Sequence, residues 1–315
     1  MPAPRLMLLD TAALYFRAFH GVPETITAPD GSPINAVRGL LDIIARLVGE
    51  FAPTELVACW DDAWRPSWRV ALIPSYKAHR LAEPGDAEAA DAKPGDREIV
   101  PEALTPQIAV IREVLTALGI AIVGAEDHEA DDVIGSLAAT ATIPVDVVTS
   151  DRDLFQVVDD ARGVRVVSTA KGMRDLEIVT DEVVRTKYGV SAAQYADFAT
   201  LRGDPSDGLP GIAGIGGKTA ASLLARFGDL DGVLAAARTS GSGLSAGQAA
   251  KLRDGEDYAR RAIKAVEVVR DLPLPEVDRA VSITDRQRRA GAALAERWGI
   301  GSSMHRVIAA LAHEG

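Results

Sequence analysis

Three short apolar runs in this chain each end in aspartate, and this repeated pattern constrains the fold more than any other feature. The runs are RLMLLD (5–10), ELVACWDD (55–62) and VDVVTSDRD (145–153). Segments with helical spacing of apolar residues occur at 36–51, 104–118 and 130–140. Strands that alternate with helices predict an α/β domain with a mostly parallel central sheet flanked by helices. Ligands of such sheets bind at the carboxyl ends of the strands, where all three aspartate-bearing segments would lie.

The chain changes character after about residue 185, where the β-prone runs stop. We predict helices in the segments that follow, at 217–227, 230–237, 246–251 and 259–268. We therefore predict a first domain at 1–185 and an all-helical second domain at 186–315. The tail from residue 288 onward also has helical spacing and could pack back on the first domain.

Two features of the composition bound the class of protein. No apolar run approaches the roughly 20 residues that a membrane-spanning helix needs. The apolar stretch at the start of the chain is too short for the core of a signal peptide. The single cysteine, Cys59, excludes an internal disulfide and a cysteine-based metal site. We expect a soluble, cytoplasmic protein with no membrane partner.

The chain is acidic, and the position of the acids matters more than their sum. A net charge of −11 by itself argues against a protein that coats nucleic acid with a basic surface. Acids at strand ends and loop–helix junctions are Asp10, Asp61 or Asp62, Glu129, Asp131, Asp132, Asp151, Asp153, Asp204 and Asp207. Each has an ordinary explanation in the first turn of a helix or in a turn after a strand.

Taken together, the same acids indicate a cation site. If the sheet is parallel, they meet at one edge, where so many like charges need shifted pKa values or bound cations. Carboxylate oxygens suit Mg²⁺ or Mn²⁺, and no histidine has a zinc-like spacing. The set is typical of a two-metal phosphodiester hydrolase.

A glycine-rich stretch, GIAGIGGKT (211–219), leads into one of the predicted helices. Its spacing misses that of an ATP-binding phosphate loop by one residue, and it does not follow a strand. We interpret it as the hairpin of a helix–hairpin–helix. Gly211, Gly214 and Gly216 would let a phosphate approach the backbone, the following helix would offer free N–H groups, and Lys218 would add charge. Ile212 and Ile215 would anchor the hairpin in the core.

Several motifs together resemble those of the bacterial 5′-nucleases, which include the N-terminal nuclease domain of DNA polymerase I and the flap endonucleases. The motifs are LLDTAALYFRAFHG, WDDAWRPSWRVALIPSYKAHR, HEADDVIGSLA, TSDRDLFQVV and GDPSDGLPGIAGIGGKTA. The resemblance runs from about residue 5 to 235, and more loosely to 270. It implies a PIN-like nuclease fold with a helical arch at about 70–103, and a stand-alone enzyme with 5′→3′ exonuclease and flap endonuclease activity on DNA.

The resemblance also implies roles for individual residues. The metal ligands would be Asp10, Asp61, Glu129, Asp131, Asp132, Asp151, Asp153, Asp204 and Asp207, holding two or more Mg²⁺ or Mn²⁺ ions. Lys77 and Arg80 would act beside the scissile phosphate, and Arg17 and Arg69 would contact DNA. The hairpin carbonyls of Ile212 and Ile215 would hold a K⁺ ion. The expected state is a nucleoid-associated monomer that acts on DNA with 5′ ends or flaps, together with replication or repair proteins.

Three departures from the family pattern bear on these expectations. One extra residue in WDDAWRPSWR leaves Asp61 and Asp62 competing for one ligand position, and we favour Asp61 because it directly follows the strand. Gly208 stands where the family commonly has asparagine, which we expect to be a mild change. Residues 82–103 lengthen the arch and make it acidic, which would repel a 5′ single strand passing beneath it. The alternatives are a DNA-structure binding protein without catalysis and a related RNA-cutting nuclease.

Overall fold

The computed structural model describes residues 3–81 and 98–312. The strands are β1 (Leu6–Asp10), β2 (Glu55–Cys59), β3 (Ala121–Val123), β4 (Val145–Thr149), β5 (Val164–Ser168) and β6 (Glu177–Val179). The longer helices are α1 (Thr11–Gly21), α2 (Asn35–Phe51), α3 (Ser67–Leu72), α4 (Thr105–Ala117), α5 (Ala130–Thr140), α6 (Asp181–Tyr188), α7 (Tyr195–Arg202), α8 (Gly217–Phe227), α9 (Leu230–Arg238), α10 (Ala246–Asp254), α11 (Glu256–Val266), α12 (Asp285–Trp298) and α13 (Gly301–Leu311).

The strands form one six-stranded sheet in the order β3-β2-β1-β4-β5-β6. The first five are parallel, and β6 pairs antiparallel with β5. This confirms the prediction of a mostly parallel sheet flanked by helices. Strand β1 is central, and Leu6 is in register with both Glu55 and Val145. The three predicted strands therefore lie side by side, and their carboxyl ends share one edge.

The alternation of side chains along β1 divides the core into two layers. Leu6 and Leu8 pack with α5 and the helices α7–α9 on one face of the sheet. Met7 and Leu9 pack with α1, α2, α4 and α13 on the other face. All four side chains are fully buried, so the strand is covered on both sides, as parallel sheets require.

The helices of the second half of the chain pack in two places. Helices α7–α11 form the helical region, but α12 and α13 pack on α4 and α2 of the first domain. Val307 and Met304 of α13 are buried in the core layer of α2, and Arg306 donates to Asp42. These two helices therefore pack back on the first domain, the position considered for the tail, and the division of the chain into domains at 1–185 and 186–315 stays a prediction. The predicted boundary at residue 185 lies inside α6.

None of the helices in residues 3–81 and 98–312 is long and apolar enough to cross a bilayer. The predicted arch region at 70–103 lies partly outside the described residues. Its described part contains the end of α3 and a 3₁₀ turn at Ala78–Arg80. The acidic insertion at 82–103 falls mostly on residues 82–97, which are not described.

Candidate functional site

A small cavity of about 230 Å³ opens at the carboxyl end of the central strands. Among the described residues its wall carries six carboxylates and two cationic side chains: Asp10, Asp61, Glu98, Glu129, Asp131, Asp151, Lys77 and Arg80. Asp10 ends β1, and Asp61 and Asp151 follow β2 and β4 by two residues. Asp10 and Asp151 are 141 residues apart in the chain, and the sheet topology brings them together.

Local backbone structure fixes the direction of each carboxylate. Asp10 caps α1 by accepting from Ala13 N at 3.1 Å, and it also accepts from Thr149 Oγ1 at 2.6 Å. Asp61 accepts from Ala130 N at 2.7 Å, at the first turn of α5. These hydrogen bonds engage both oxygens of Asp10 and one oxygen of Asp61, so Asp61 Oδ2 remains available to a ligand, whereas Asp10 can offer only the remaining lone pairs of its bonded oxygens.

Burial close to other carboxylates raises the pKa values of these acids. Burial raises the pKa of Asp10 to about 6 and that of Asp61 to about 7, with repulsion from neighbouring carboxylates adding to the effect. The pKa of Asp131 is raised well above its usual range, first by burial and then by the charge of Asp151. The same two causes raise the pKa of Asp153. A bound cation would reverse these penalties.

The oxygen donors of these residues suit a hard cation that takes only some of its ligands from the protein. All of the acids offer oxygen, and Asp153 Oδ1 is buried without a hydrogen-bond partner. Within the described residues, however, no three acid, histidine or cysteine side chains converge closely enough to enclose an ion by themselves. An ion such as Mg²⁺, which keeps several waters and takes substrate phosphate oxygens, fits such a half-open site.

Glu129 is the most heavily bonded of the cavity acids. It forms an ion pair with Lys77 through Oε1, and its Oε2 accepts from Tyr76 Oη at 2.6 Å and from Arg69 at 2.9 Å. Lys77 has a left-handed backbone (φ 48°) that turns its side chain toward the cavity wall. Tyr76 was not among the predicted site residues, although its position directly before Lys77 in SYKAHR is a signal that could have found it.

Arg69 and Asp132, for which the sequence predicts a DNA contact and a metal contact, are paired with each other. Arg69 is only 2% exposed, and it binds Asp132 through both terminal nitrogens at 2.7 Å each. Asp132 is fully buried, and it also accepts from Val269 N at 2.9 Å. The two side chains satisfy each other inside the protein, and the expected DNA contact of Arg69 and the expected metal contact of Asp132 stay predictions.

A second group of acids lies beside the cavity. The charges of Asp151, Asp207 and Asp204 all act on Asp153, which places the four in one electrostatic neighbourhood. Asp204 is held by Arg202 at 3.1 Å. The carbonyl of Asp207 accepts from Lys77 N at 2.9 Å, which docks the base of the arch region on this loop.

The structure distinguishes Asp61 from Asp62. Asp61 lines the cavity, whereas Asp62 is exposed and lies against Gly124. Gly208, the departure from the family pattern, has φ 70°, and a Cβ there would come within 2.1 Å of Ser75 O. Glycine is therefore required at this contact in this chain.

The glycine-rich stretch forms a tight turn between α7 and α8. Ile212 and Ile215 are buried, and Ile215 N donates to Ile212 O at 2.9 Å. Gly216 and Lys218 are exposed at the start of α8. The turn thus presents backbone N–H groups and one cation to solvent while its isoleucines anchor it.

A larger cavity of about 920 Å³ shares Ala13, Phe16 and Ser150 with the acid-lined one. Its cationic lining residues are Arg17, Arg46, Lys171 and Arg174. Arg17 Nε is buried there without a hydrogen-bond partner. The basic loop that carries Lys171 and Arg174 was not predicted, and the only signal for it is the local sequence TAKGMRD.

Comparison with known proteins shows the family that has this architecture. Residues 5–189 match the 5′-3′ exonuclease N-terminal resolvase-like domain, and residues 190–289 match the 5′-3′ exonuclease C-terminal SAM fold. This chain belongs to the 5′-3′ exonuclease family. The recognition made from the motifs is thereby confirmed, and it extends beyond the range that the motifs covered.

Relatives of the family span the whole chain. A 5′-3′ exonuclease of Streptomyces coelicolor is 55% identical over 305 residues, which cover 97% of this chain and 99% of the relative. A 5′-3′ exonuclease of Mycobacterium tuberculosis is 46% identical, with 97% of each chain covered. DNA polymerase I of Mycobacterium bovis is 39% identical over 87% of this chain, which spans only 28% of that longer protein.

Solved structures share the fold at low sequence identity. A bacteriophage T5 flap endonuclease in a pseudo-enzyme–product complex with DNA and metal ions superposes with a TM-score of 0.64, at 16% identity and with 98% of this chain and 99% of that chain covered. The catalytic core of Rad2 in complex with DNA substrate gives a TM-score of 0.57 at 14% identity, with 98% and 92% covered. Proteins of distant sequence thus share this arrangement of sheet and helices.

Proposed function

We propose that this chain is a cation-dependent, structure-specific 5′-nuclease with 5′→3′ exonuclease and flap endonuclease activity on DNA, acting in replication and repair. The observation that carries the proposal is the cavity at the sheet edge, where six carboxylates face Lys77 and Arg80. Family membership supports the same reaction class.

Two or more Mg²⁺ or Mn²⁺ ions would be held by two neighbouring groups of acids. Asp10, Asp61, Glu129, Asp131 and Asp151 line the cavity, and Asp153, Asp204 and Asp207 lie beside it. Such ions supply the activation of water and the neutralisation of charge on the phosphate oxygens. The raised pKa values of the buried acids support cation binding, because a cation stabilises their ionised forms.

Two cationic side chains of the arch base would orient the scissile phosphate. Lys77 lines the cavity and is held by Glu129, so its charge is fixed close to where negative charge develops. Arg80 also lines the cavity; it donates to Ser206 O at 2.9 Å, and a third of its side chain is exposed. We propose that both groups bind phosphate oxygens of the strand being cut.

The hairpin would hold the DNA backbone away from the cut. Gly216 and Lys218 are exposed at the amino end of α8, where free N–H groups favour an anion. We further propose a K⁺ ion on the carbonyls of Ile212 and Ile215, tested by comparing DNA binding in K⁺ with binding in Na⁺. Contacts of this kind fix register but read no sequence. Binding would then depend on the structure of the DNA and not on its sequence.

The oligomeric state, the partners and the path of the DNA strand follow from the same reasoning. We propose that the protein acts as a monomer on 5′ ends and flaps, that replication or repair proteins work with it, and that the 5′ strand passes the arch region at 70–103. The described part of that region carries Lys77 and Arg80, which favours passage of a phosphate backbone at its base.

The deciding experiment is cleavage of a labelled double-flap DNA with Mg²⁺ or Mn²⁺, beside an EDTA control. A short product from the flap junction that disappears with EDTA supports the proposal. Asp151→Asn and Asp153→Asn should cut far more slowly, whereas the matched Asp62→Asn, an exposed acid outside the cavity, should cut at the normal rate. Tight binding without cutting would favour a DNA-structure binding protein, and faster cutting of an RNA flap would favour the ribonuclease alternative.

A further inference from the structure

Helix α11 touches the hairpin at one end and the catalytic sheet edge at the other. Near its start, Tyr258 Oη accepts from Gly211 N at 3.0 Å, and Gly255 packs directly on Ile212. At its end, Ala265 O accepts from Arg69 Nε at 2.9 Å. The helix has 11 residues, so it bridges about 16 Å between the two regions.

The carboxyl end of α11 is clasped by buried side chains of the catalytic domain. Gln156 donates to Val266 O and accepts from Val268 N, both at 3.0 Å. The same amide donates to Asp153 O at 2.8 Å. A single side chain, 3% exposed, therefore joins the end of the helix to the backbone of an acid beside the cavity.

Arg69 closes the clasp from the other side. Its guanidinium binds Ala265 O, and it also binds Glu129, which lines the cavity. Gly135 of α5 packs closely against the segment that follows α11, since a Cβ there would lie 2.7 Å from Val269 O. One end of α11 is thus fixed to the hairpin that the proposed function places on the DNA backbone, and the other end is fixed to acids that it assigns to the cations.

We propose that α11 is a rigid strut that sets the distance between the hairpin and the cavity, and that Gln156 and Tyr258 are positioning residues that determine which phosphodiester is cut. The proposal rests on the proposed nuclease function. If the hairpin holds the duplex and the cavity cuts it, the length of the strut selects one phosphodiester along the backbone. Loosening either end would let neighbouring phosphodiesters reach the cavity.

The test uses two variants at opposite ends of the strut. Gln156→Met removes three hydrogen bonds with little change of volume, and Tyr258→Phe removes only the bond to Gly211 N. We expect both to spread the cuts over adjacent positions of a double-flap DNA, raising the share of off-position product about fivefold, the equivalent of one buried hydrogen bond. The double variant should add little to the larger single effect, because both changes free the same helix.

Matched controls separate positioning from loss of stability. Gln107→Met removes a glutamine that is also buried and bonded to Ala36 N and Ala103 O, but that does not touch α11. Tyr195→Phe removes a buried hydroxyl that has no hydrogen-bond partner. Both controls should keep a single cutting position, even where the melting temperature falls.

A second measurement does not depend on cleavage. Spin labels on Asp62→Cys and Ala213→Cys, both exposed, report the distance from the sheet edge to the hairpin, while Cys59 is buried and stays unlabelled. Gln156→Met and Tyr258→Phe should broaden the distance distribution, and the controls should not. An unchanged distribution would overturn the strut, and a broadened one with a single cutting position would overturn its role in register. Failure of the unaltered protein to cut would count against the nuclease function alone, because the label distance still decides the strut.

Discussion

The guanidinium of Arg69 binds the carboxylate of Asp132 through two hydrogen bonds of 2.7 Å, and both side chains are almost completely buried. The same guanidinium reaches Glu129 at 2.9 Å. The guanidinium of Arg69 thus lies between two buried carboxylates and neutralises charge inside the protein.

This pairing predicts a large loss of stability in Arg69→Met. The substitution leaves the carboxylates of Asp132 and Glu129 without their main cation, and breaking a buried ion pair from one side costs about 3 to 5 kcal/mol. Urea unfolding measures the loss. Arg80→Ala is the matched control: its side chain is 34% exposed, so stability should hardly change while cleavage falls. A stable Arg69→Met that only binds DNA weakly would restore the DNA-contact role.

Cation binding should stabilise the fold as well as support activity. Asp10, Asp61 and Asp131 repel one another in the buried cavity, so a bound cation relieves a cost that the folded state carries. At a hundredfold excess over its Kd, Mg²⁺ should raise the melting temperature by about 5 °C. Asp131→Asn should melt higher than the unaltered protein in EDTA and respond less to Mg²⁺. Asp62→Asn should change neither value, and a full Mg²⁺ response in Asp131→Asn would exclude that residue from the site.

Two glycines of the hairpin should respond differently to alanine. Gly211 has φ 70°, and a Cβ there would lie 2.4 Å from Arg202 O, so Gly211→Ala should destabilise the hairpin and shift its backbone. Gly216 has φ −86° and no atom within 4 Å of its virtual Cβ, so Gly216→Ala should cost about 0.5 kcal/mol, the difference between these residues at a helix N-cap. Its methyl group would nevertheless obstruct a phosphate. Fluorescence anisotropy with DNA in EDTA should show weaker binding by Gly216→Ala at nearly normal stability, and unchanged binding would move the DNA contact elsewhere.

One acid far from the cavity should make stability fall as pH rises. Burial, with the charges of Asp229, Glu267 and Asp231 adding to it, raises the pKa of Asp197 from 3.8 to about 6. Because the folded state holds this proton more tightly than the unfolded chain, its contribution is largest below pH 4 and is lost as pH rises through 6.

Asp197→Asn should therefore be more stable than the unaltered protein at pH 7, by about 1 kcal/mol after allowance for the partial exposure of the side chain. The asparagine oxygen can still accept from Leu230 N, which donates to Asp197 at 3.2 Å. Thermal unfolding from pH 4 to pH 7 measures the difference, and the exposed Asp271→Asn serves as control. A variant that is less stable at pH 7 would show that the hydrogen bond outweighs the charge.

The elements predicted from the sequence are those whose signals are local. The apolar runs that became β1, β2 and β4 were found because each is a buried strand of five residues with an aspartate at its end or two residues after it; β5 has the same length but no such aspartate and was not predicted. The helices α5 and α8 begin and end where their spacing predicts. Strands β3 and β6 have only three residues each, too few for an alternating pattern to stand out, and they were not predicted.

The site divides in the same way. A parallel sheet places the ends of its strands along one edge, so Asp10, Asp61 and Asp151 could be assigned to one cavity from the sequence. The partner of Asp132 could not, because spacing within a helix shows which face a side chain shares but not what packs on that face. Arg69 lies 63 residues earlier in the chain.

The sequence by itself determined that strands alternate with helices in the first part of the chain, that the acids gather at one sheet edge, and that a glycine turn precedes α8, since each depends on residues a few positions apart. The tertiary structure alone decided that Arg69 is an internal ion-pair partner and that Gln156 holds the end of α11. These outcomes depend on contacts between distant segments, which form only when the chain is packed and buried charges must find their partners.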